Sequence, residues 1–197
     1  LVLCDLDTLK TLPKRELRAG LAEVIKYGII DDATLFRRLE RRLPALLKLD
    51  AKELAHVVAR SCQIKAKVVE EDEREGGLRA ILNYGHTIGH ALEAISSYGK
   101  YLHGEAISIG QVAASKISRD QHGLGQAEVE RIEALFTAAG LPTTVDLSKK
   151  ETLKLLAAMK LDKKVIGGQV KFVLAKSIGH VAFGIDVPKT TIKASLQ

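Results

Sequence analysis

The sequence contains no tryptophan and only eight other aromatic residues, four tyrosines and four phenylalanines, among 197 residues. Surfaces that bind nucleic acids usually combine basic stripes with aromatic side chains that stack on bases. The net charge is +6, but basic residues alternate with acids in the segments RRLERRL and EEDERE, as they do on solvated helix faces. The sequence therefore favours a small anionic substrate as the partner and argues against nucleic acid.

Long apolar runs are also missing, as is a basic segment followed by an apolar one at the start of the chain. This composition predicts neither a membrane span nor a secretory leader. Two cysteines, Cys4 and Cys62, lack the spacing of a metal site, so we expect two reduced thiols in a cytoplasmic protein. The chain begins with Leu1 in an apolar run typical of an interior strand, and we expect it to be part of a longer protein.

Hydrophobic periodicity predicts a single, mostly α-helical domain over residues 1–197 with a small β-hairpin. Pro44 is expected to kink or end the helix that contains it, and a histidine-bearing helix is expected to begin at Arg79. The other predicted elements are a strand at 1–5, helices at 14–30, 31–47, 51–73, 104–120, 126–139 and 148–160, hairpin strands at 170–174 and 180–185, and a short helix after Pro188.

Three of the six histidines fall within the segment RAILNYGHTIGHALEAISSYGKYLHGE, residues 79–105. His86 and His90 are four residues apart, so on a helix their rings point to the same side. His103 follows in a Leu-His-Gly-Glu turn. Imidazoles brought together in this way suit a divalent metal, above all zinc. The spacing does not decide which of the three are ligands, and a structural or surface pair has the same spacing.

Glu23 lies within the otherwise apolar run LAEVI of a predicted helix, and Lys26 directly follows this run. They form either a surface ion pair or, because their neighbours are apolar, a metal ligand and an anion-binding group. Together with the three histidines, Glu23 can supply a metal site with three protein ligands. Such a site keeps a coordination position open, which is the catalytic arrangement.

Four strings carry a resemblance to a known family: LPKRELRAGLAEVIKYG, KAKVVEEDEREGGLRAILNYGHTIGHALE, LHGEAISIG and LDKK. They resemble the C-terminal domain of 3-dehydroquinate synthase from about Thr8 to the hairpin. The resemblance implies the helical C-terminal domain of the dehydroquinate synthase-like fold. It also implies an NAD-dependent conversion of 3-deoxy-arabino-heptulosonate 7-phosphate to 3-dehydroquinate and phosphate, with zinc or cobalt as the metal, in a homodimer.

The family's functional positions carry over residue by residue. The resemblance implies that Glu23, His86 and His103 hold the metal, and that His90 assists proton movement instead of binding the metal. Matched positions with catalytic or substrate-binding roles are Lys26, Lys65, Glu75, Arg79, Asn83 and His90, with either Lys163 or Lys164 as a further substrate lysine. Thr8, Leu9, Lys10 and Thr11 match a segment that touches the nicotinamide cofactor.

One departure from the family concerns NAD itself. The sequence has no GxGxxG after a strand and no alternation of strands and helices, the signals of a dinucleotide-binding domain. We therefore expect the metal- and substrate-binding half of the enzyme, inactive without an NAD-binding half. Two other hypotheses remain open: a related sugar-phosphate cyclase that makes a cyclitol, and a non-catalytic helical binding module.

Overall fold

The computed structural model describes residues 3–73, 77–96, 99–161, 165–166 and 169–196, and within them eight α-helices, two 3-10 segments and a three-stranded sheet. The helices are α1 (Lys14–Ile30), α2 (Ala33–Leu47), α3 (Ala51–Glu71), α4 (His86–Ile95), α5 (His103–His122), α6 (Gln126–Ala138), α7 (Lys149–Leu161) and α8 (Lys189–Ser195). The 3-10 segments are Leu6–Thr11 and Leu78–Asn83. The antiparallel strands are β1 (Val165–Ile166), β2 (Gln169–Ser177) and β3 (His180–Asp186), in that order.

The predicted fold class is confirmed: the molecule is mostly helical and β2 and β3 form the expected hairpin. The strand predicted at the start is wrong where it can be compared, because residues 3–5 are irregular. Pro44 does not end its helix, which continues to Leu47. Leu39, Leu43 and Leu46 of that helix are buried, and we attribute its continuation past the proline to this packing.

The helix predicted from Arg79 begins seven residues later, at His86. Residues 78–83 form a 3-10 segment, and Gly85 adopts a left-handed conformation with φ of 76°. A positive φ interrupts an α-helix and favours glycine, which explains the break. His103 likewise lies at the first residue of α5 and not in a turn.

Helix α5 is the central element of the fold. Thirteen of its residues are buried, many of them small, such as Ala106, Ala113 and Ala114. The helix contributes to both hydrophobic clusters, one shared with α1, α2, α3 and α6 and the other with α4, α7 and α8. Within the described residues, no helix is long and apolar enough to cross a membrane.

Glycines allow α5 to approach its neighbours more closely than a Cβ atom permits. A Cβ at Gly104 would lie 1.9 Å from the carbonyl oxygen of Ala19 on α1. A Cβ at Gly110 would lie 2.1 Å from the carbonyl oxygen of Gly85, directly before α4. These two contacts hold the start of α4 and the middle of α1 against α5, where the candidate ligands lie.

Candidate metal centre and substrate site

Three helices bring the predicted metal ligands together. Helix α1 carries Glu23, α4 carries His86 and His90, and α5 begins with His103. The ring centre of His86 lies 5.2 Å from that of His90 and 5.7 Å from that of His103. One nitrogen from each of the three rings lies within 4.8 Å of the others, which makes them a possible metal-binding group.

The side chain of Glu23 has an unpaired carboxylate oxygen, which a bound metal would explain. Its Oε1 is buried, yet it accepts no hydrogen bond from any described residue. The same atom lies 3.3 Å from His86 Nε2 and 3.7 Å from His103 Nε2. Ligand bonds of about 2.0–2.1 Å in tetrahedral geometry place ligand atoms about 3.3–3.4 Å apart. These residues therefore fit a divalent metal at the point where their atoms converge.

The other ring nitrogen of each histidine is held by an acceptor. His86 Nδ1 donates to the carbonyl oxygen of Tyr84 over 3.1 Å, and His103 Nδ1 lies 3.1 Å from Oε1 of Glu93. A carbonyl or an ionised carboxylate can only accept, so Nδ1 carries the proton in both rings. This arrangement leaves Nε2 of His86 and His103 to face Glu23. In metal sites such acceptors fix the tautomer and the orientation of each histidine ring.

The charges around Glu23 favour its ionised form. Burial would raise the pKa of Glu23, but without a metal the His103 and His86 rings can donate to it when Nε2 also carries a proton. These hydrogen bonds and the charge of Lys26 outweigh burial and hold that pKa far below 4.5. Glu23 in turn raises the pKa of His103, burial opposes this shift, and Glu93 adds to it. The negative charge needed at a cation site is therefore present at neutral pH.

Lys26 lies behind Glu23 and is only 3% exposed. Its Nζ contacts Glu23 Oε2, so the two carboxylate oxygens have different surroundings. Burial lowers the pKa of Lys26, Glu23 raises it, and the nearby charge of Lys65 lowers it again, with a net decrease. Two lysines near the carboxylate form a positive region that suits an anionic ligand.

Glu93, which orients His103, received no role from the sequence. Glu93 is three residues after His90 and seven after His86 on α4, so helical spacing on the histidine face was a signal for it. Arg15 and Glu105 also received no role. Arg15 Nε and Nη2 each lie 2.7 Å from a Glu105 oxygen and so tie the start of α5 to α1.

Several other predicted site residues lie on the segments that precede α4 and α1. The 3-10 segment before α4 carries Arg79 and Asn83, and the backbone N–H of Arg79 donates to Asp72 over 2.8 Å. Glu75, Lys163 and Lys164 lie outside the described residues. The predicted cofactor segment, Thr8–Thr11, lies on the 3-10 segment that precedes α1, and its residues Thr8, Lys10 and Thr11 are exposed.

A surface groove of about 650 Å³ is separate from the candidate ligands. Its lining includes Leu147 and Leu153 together with Lys193 of α8. None of the side chains that face Glu23 lines it, so the groove does not identify the functional site.

The chain matches a known protein family over most of its length. Residues 20–165 match the family described as 3-dehydroquinate synthase C-terminal. The chain belongs to this family. Among curated relatives, the 3-dehydroquinate synthases of Desulforamulus reducens and Gloeobacter violaceus are 48% and 50% identical over the whole chain. The chain spans about half the length of these relatives, 55% and 54% respectively.

Solved structures of related cyclases share the fold. A 2-epi-5-epi-valiolone synthase from Streptomyces hygroscopicus subsp. jinggangensis 5008, solved with NAD+ and Zn2+ bound, is 28% identical with a TM-score of 0.88. The match covers 98% of this chain and 53% of that one. A 2-deoxy-scyllo-inosose synthase complexed with carbaglucose-6-phosphate, NAD+ and Co2+ is 25% identical with a TM-score of 0.81, over 98% and 55% of the two chains.

Proposed function

We propose that this chain is the metal- and substrate-binding half of a 3-dehydroquinate synthase. In this proposal, residues 1–197 form one domain, and a separate NAD-binding region completes the active site. The complete enzyme converts 3-deoxy-arabino-heptulosonate 7-phosphate to 3-dehydroquinate and phosphate. Family membership and 48% identity to a curated synthase over the whole chain support this substrate.

The single observation that carries the proposal is the unpaired Oε1 of Glu23 between two histidine nitrogens. A helical scaffold without a ligand gains nothing from burying a carboxylate oxygen in this way, since an unpaired buried acceptor costs free energy. Glu23, His86 and His103 would hold zinc or cobalt, and the metal would polarise a substrate hydroxyl and lower its pKa.

The remaining side chains bind the substrate and move protons. His90 lies beside both histidine ligands, where a neutral imidazole can accept or return a proton during phosphate elimination. Lys26 and Lys65 act as point charges for anionic substrate groups, and Arg79 and Asn83 add a guanidinium and an amide. Glu75 and either Lys163 or Lys164 complete this set in the proposal.

The cofactor and the assembly are also part of the proposal. NAD+ would be held mainly by the separate region, with Thr8, Leu9, Lys10 and Thr11 touching it from this chain. The metal and NAD+ in the two cyclase structures support these cofactors. We further propose a homodimer and a cytoplasmic location, the latter because only two cysteines are present.

Reconstitution tests the proposed activity. The zinc-loaded chain is mixed with the NAD-binding half of the Desulforamulus reducens relative, and phosphate release from the heptulosonate phosphate is measured with NAD+. We expect release only when both halves are present. The variant His90→Ala should lower kcat by about 10²–10⁴-fold, the usual contribution of a general acid–base group, while zinc content stays unchanged.

Two results would contradict the proposal. Turnover by the chain alone would overturn its assignment as a half-enzyme. A stable, zinc-loaded complex of the two halves that released no phosphate would overturn the assignment of the heptulosonate phosphate as the substrate.

A related cyclase that makes a cyclitol is the second candidate, favoured by the TM-score of 0.88 to a valiolone synthase. Arg79, Asn83 and His90 are in the form that resembles dehydroquinate synthase, and a guanidinium suits the substrate's carboxylate. Offering the reconstituted enzyme a heptulose 7-phosphate without a carboxylate separates the two candidates. Preferential turnover of that sugar would establish the cyclitol activity instead.

A further inference from the structure

Gln111 is a buried polar residue on α5 that the proposed reaction does not use. Its side chain is 0% exposed, and Nε2 donates over 3.0 Å to the carbonyl oxygen of Ala22, the residue before Glu23. On its other side Gln111 packs against Gly85, the residue before His86. A Cβ atom at Gly85 would lie 2.4 Å from Gln111 Cγ. One side chain therefore contacts the backbone next to two candidate metal ligands.

The side-chain amide of Gln111 lowers the stability of the fold, and an apolar side chain of the same size would pack without this loss. Gln111 Oε1 is buried and, in the part of the chain that the structure describes, has no hydrogen-bond partner. A methionine of similar length would fill the same space without an unpaired buried oxygen. The orientation of the amide is also fixed, because the reverse orientation would place Gln111 Oε1 against the carbonyl oxygen of Ala22. What the amide adds over an apolar side chain is its hydrogen bond to the Ala22 carbonyl oxygen on α1.

We propose that Gln111 is a positioning residue that sets the separation of Glu23 from His86 and thereby the affinity of the metal site. The inference rests on the metal site of the proposed function. Two of the points at which helix α1 touches α5 are Ala19 against Gly104 and Ala22 against Gln111. Glu23 directly follows the second point. Loss of the Gln111 bond frees Glu23 to move while the first contact keeps the helices packed.

The test replaces Gln111 by methionine and Ser115 by alanine in the full 197-residue chain. Ser115 is equally buried one turn later on α5, but its hydroxyl donates to Val112 of its own helix over 2.7 Å. Zinc dissociation constants are measured by chelator competition, and the visible absorption of the Co2+-loaded proteins reports ligand geometry. Urea unfolding of the metal-free proteins measures stability separately.

We expect Gln111→Met to weaken zinc binding about tenfold, within the range for outer-shell partners of metal ligands, and to change the Co2+ spectrum. Ser115→Ala should leave both unchanged, and the metal-free urea midpoints of the two variants should be similar. The inference would be overturned if Gln111→Met bound zinc within about twofold of the unsubstituted chain, or if Ser115→Ala weakened zinc binding equally. Failure of the unsubstituted chain to bind metal would instead overturn the proposed function itself.

A second measurement covers the case in which Gln111→Met does not fold. In the unsubstituted chain, the side-chain amide protons of Gln111 should exchange slowly with solvent and shift in the NMR spectrum when zinc is added. Rapid exchange with no shift would contradict the positioning role.

Discussion

Two carboxylates, Glu23 and Glu53, lie on neighbouring helices with basic residues beside them, and their surroundings differ. Both oxygens of Glu53 are paired, because Arg38 donates at 2.9 and 3.1 Å and Arg42 at 3.0 Å. Glu23 has one oxygen on Lys26 and the other unpaired between two imidazoles. A carboxylate with both oxygens paired to arginines stabilises the fold. A carboxylate oxygen that lacks a donor and faces nitrogen lone pairs is available to a cation.

The two carboxylates also differ in how firmly their surroundings hold them in place. Glu53 joins α2 to α3 through flexible arginine side chains. Glu23 lies on a helix that is held against α5 by backbone contact at Gly104, so its position tolerates little adjustment. The comparison leads to four predictions, given in order of decreasing effect.

The largest effect is expected from Gly104→Ala. The new Cβ would lie 1.9 Å from the Ala19 carbonyl oxygen, so α1 and α5 must separate. Overpacking of this kind costs about 1–3 kcal/mol or more, and the separation moves His103 away from Glu23. Urea denaturation and zinc titration of the same samples should show both losses. Unchanged zinc affinity would show that this backbone contact does not position the site.

Glu53→Gln should lower stability and leave zinc affinity unchanged. Burial would raise the pKa of Glu53, but Arg38 and Arg42 outweigh burial and lower that pKa below 4.5. A carboxylate with a lowered pKa contributes stability that is present above pH 4.5 and is lost as the pH falls through the lowered value. The difference in urea midpoint between the two proteins should therefore shrink as the pH falls below 4.5. A difference that is constant with pH would contradict the assigned role of the charge.

Glu93→Gln should weaken zinc binding about tenfold, as expected for an outer-shell partner. The amide can still accept from His103 Nδ1, but it lacks the negative charge that makes the ring a stronger ligand. Chelator competition measures the change, and Glu53→Gln is the matched control for loss of a carboxylate. Equal affinities in these two variants would show that Glu93 does not act on His103.

The smallest effect is expected from Gly20→Ala, which also serves as the control for Gly104→Ala. Gly20 lies within α1, and nothing lies within 4 Å of a Cβ built there. Alanine should stabilise the helix by about 0.5–1 kcal/mol and leave metal binding unaltered. Urea denaturation measures this gain. A loss of stability would mean that this face of α1 is covered in solution.

Periodicity alone predicted most of the fold, because buried stripes such as that of α1 have strong helical spacing. It placed the start of α4 wrongly, since the left-handed turn at Gly85 depends on the close contact with Gly110 across α5. Tertiary contacts of this kind leave no periodic signal in the sequence.

The convergence of the candidate metal ligands was predictable from the sequence, but their geometry was not. Residue chemistry grouped Glu23, His86, His90 and His103, and only the family resemblance separated His90 from the candidate ligands. The contacts of His86 Nδ1 with the Tyr84 carbonyl and of His103 Nδ1 with Glu93 could not be derived from the sequence. The first depends on the turn directly before α4, and the second on how α4 meets α5.

The most direct test of a cation site at Glu23 is the zinc content of the purified chain after dialysis, compared with Glu23→Ala and Glu53→Gln. A metal-ligand role for Glu23 predicts about one zinc ion per chain for the unsubstituted protein and for Glu53→Gln, and loss of zinc in Glu23→Ala. Equal zinc content in Glu23→Ala and the unsubstituted chain would contradict it.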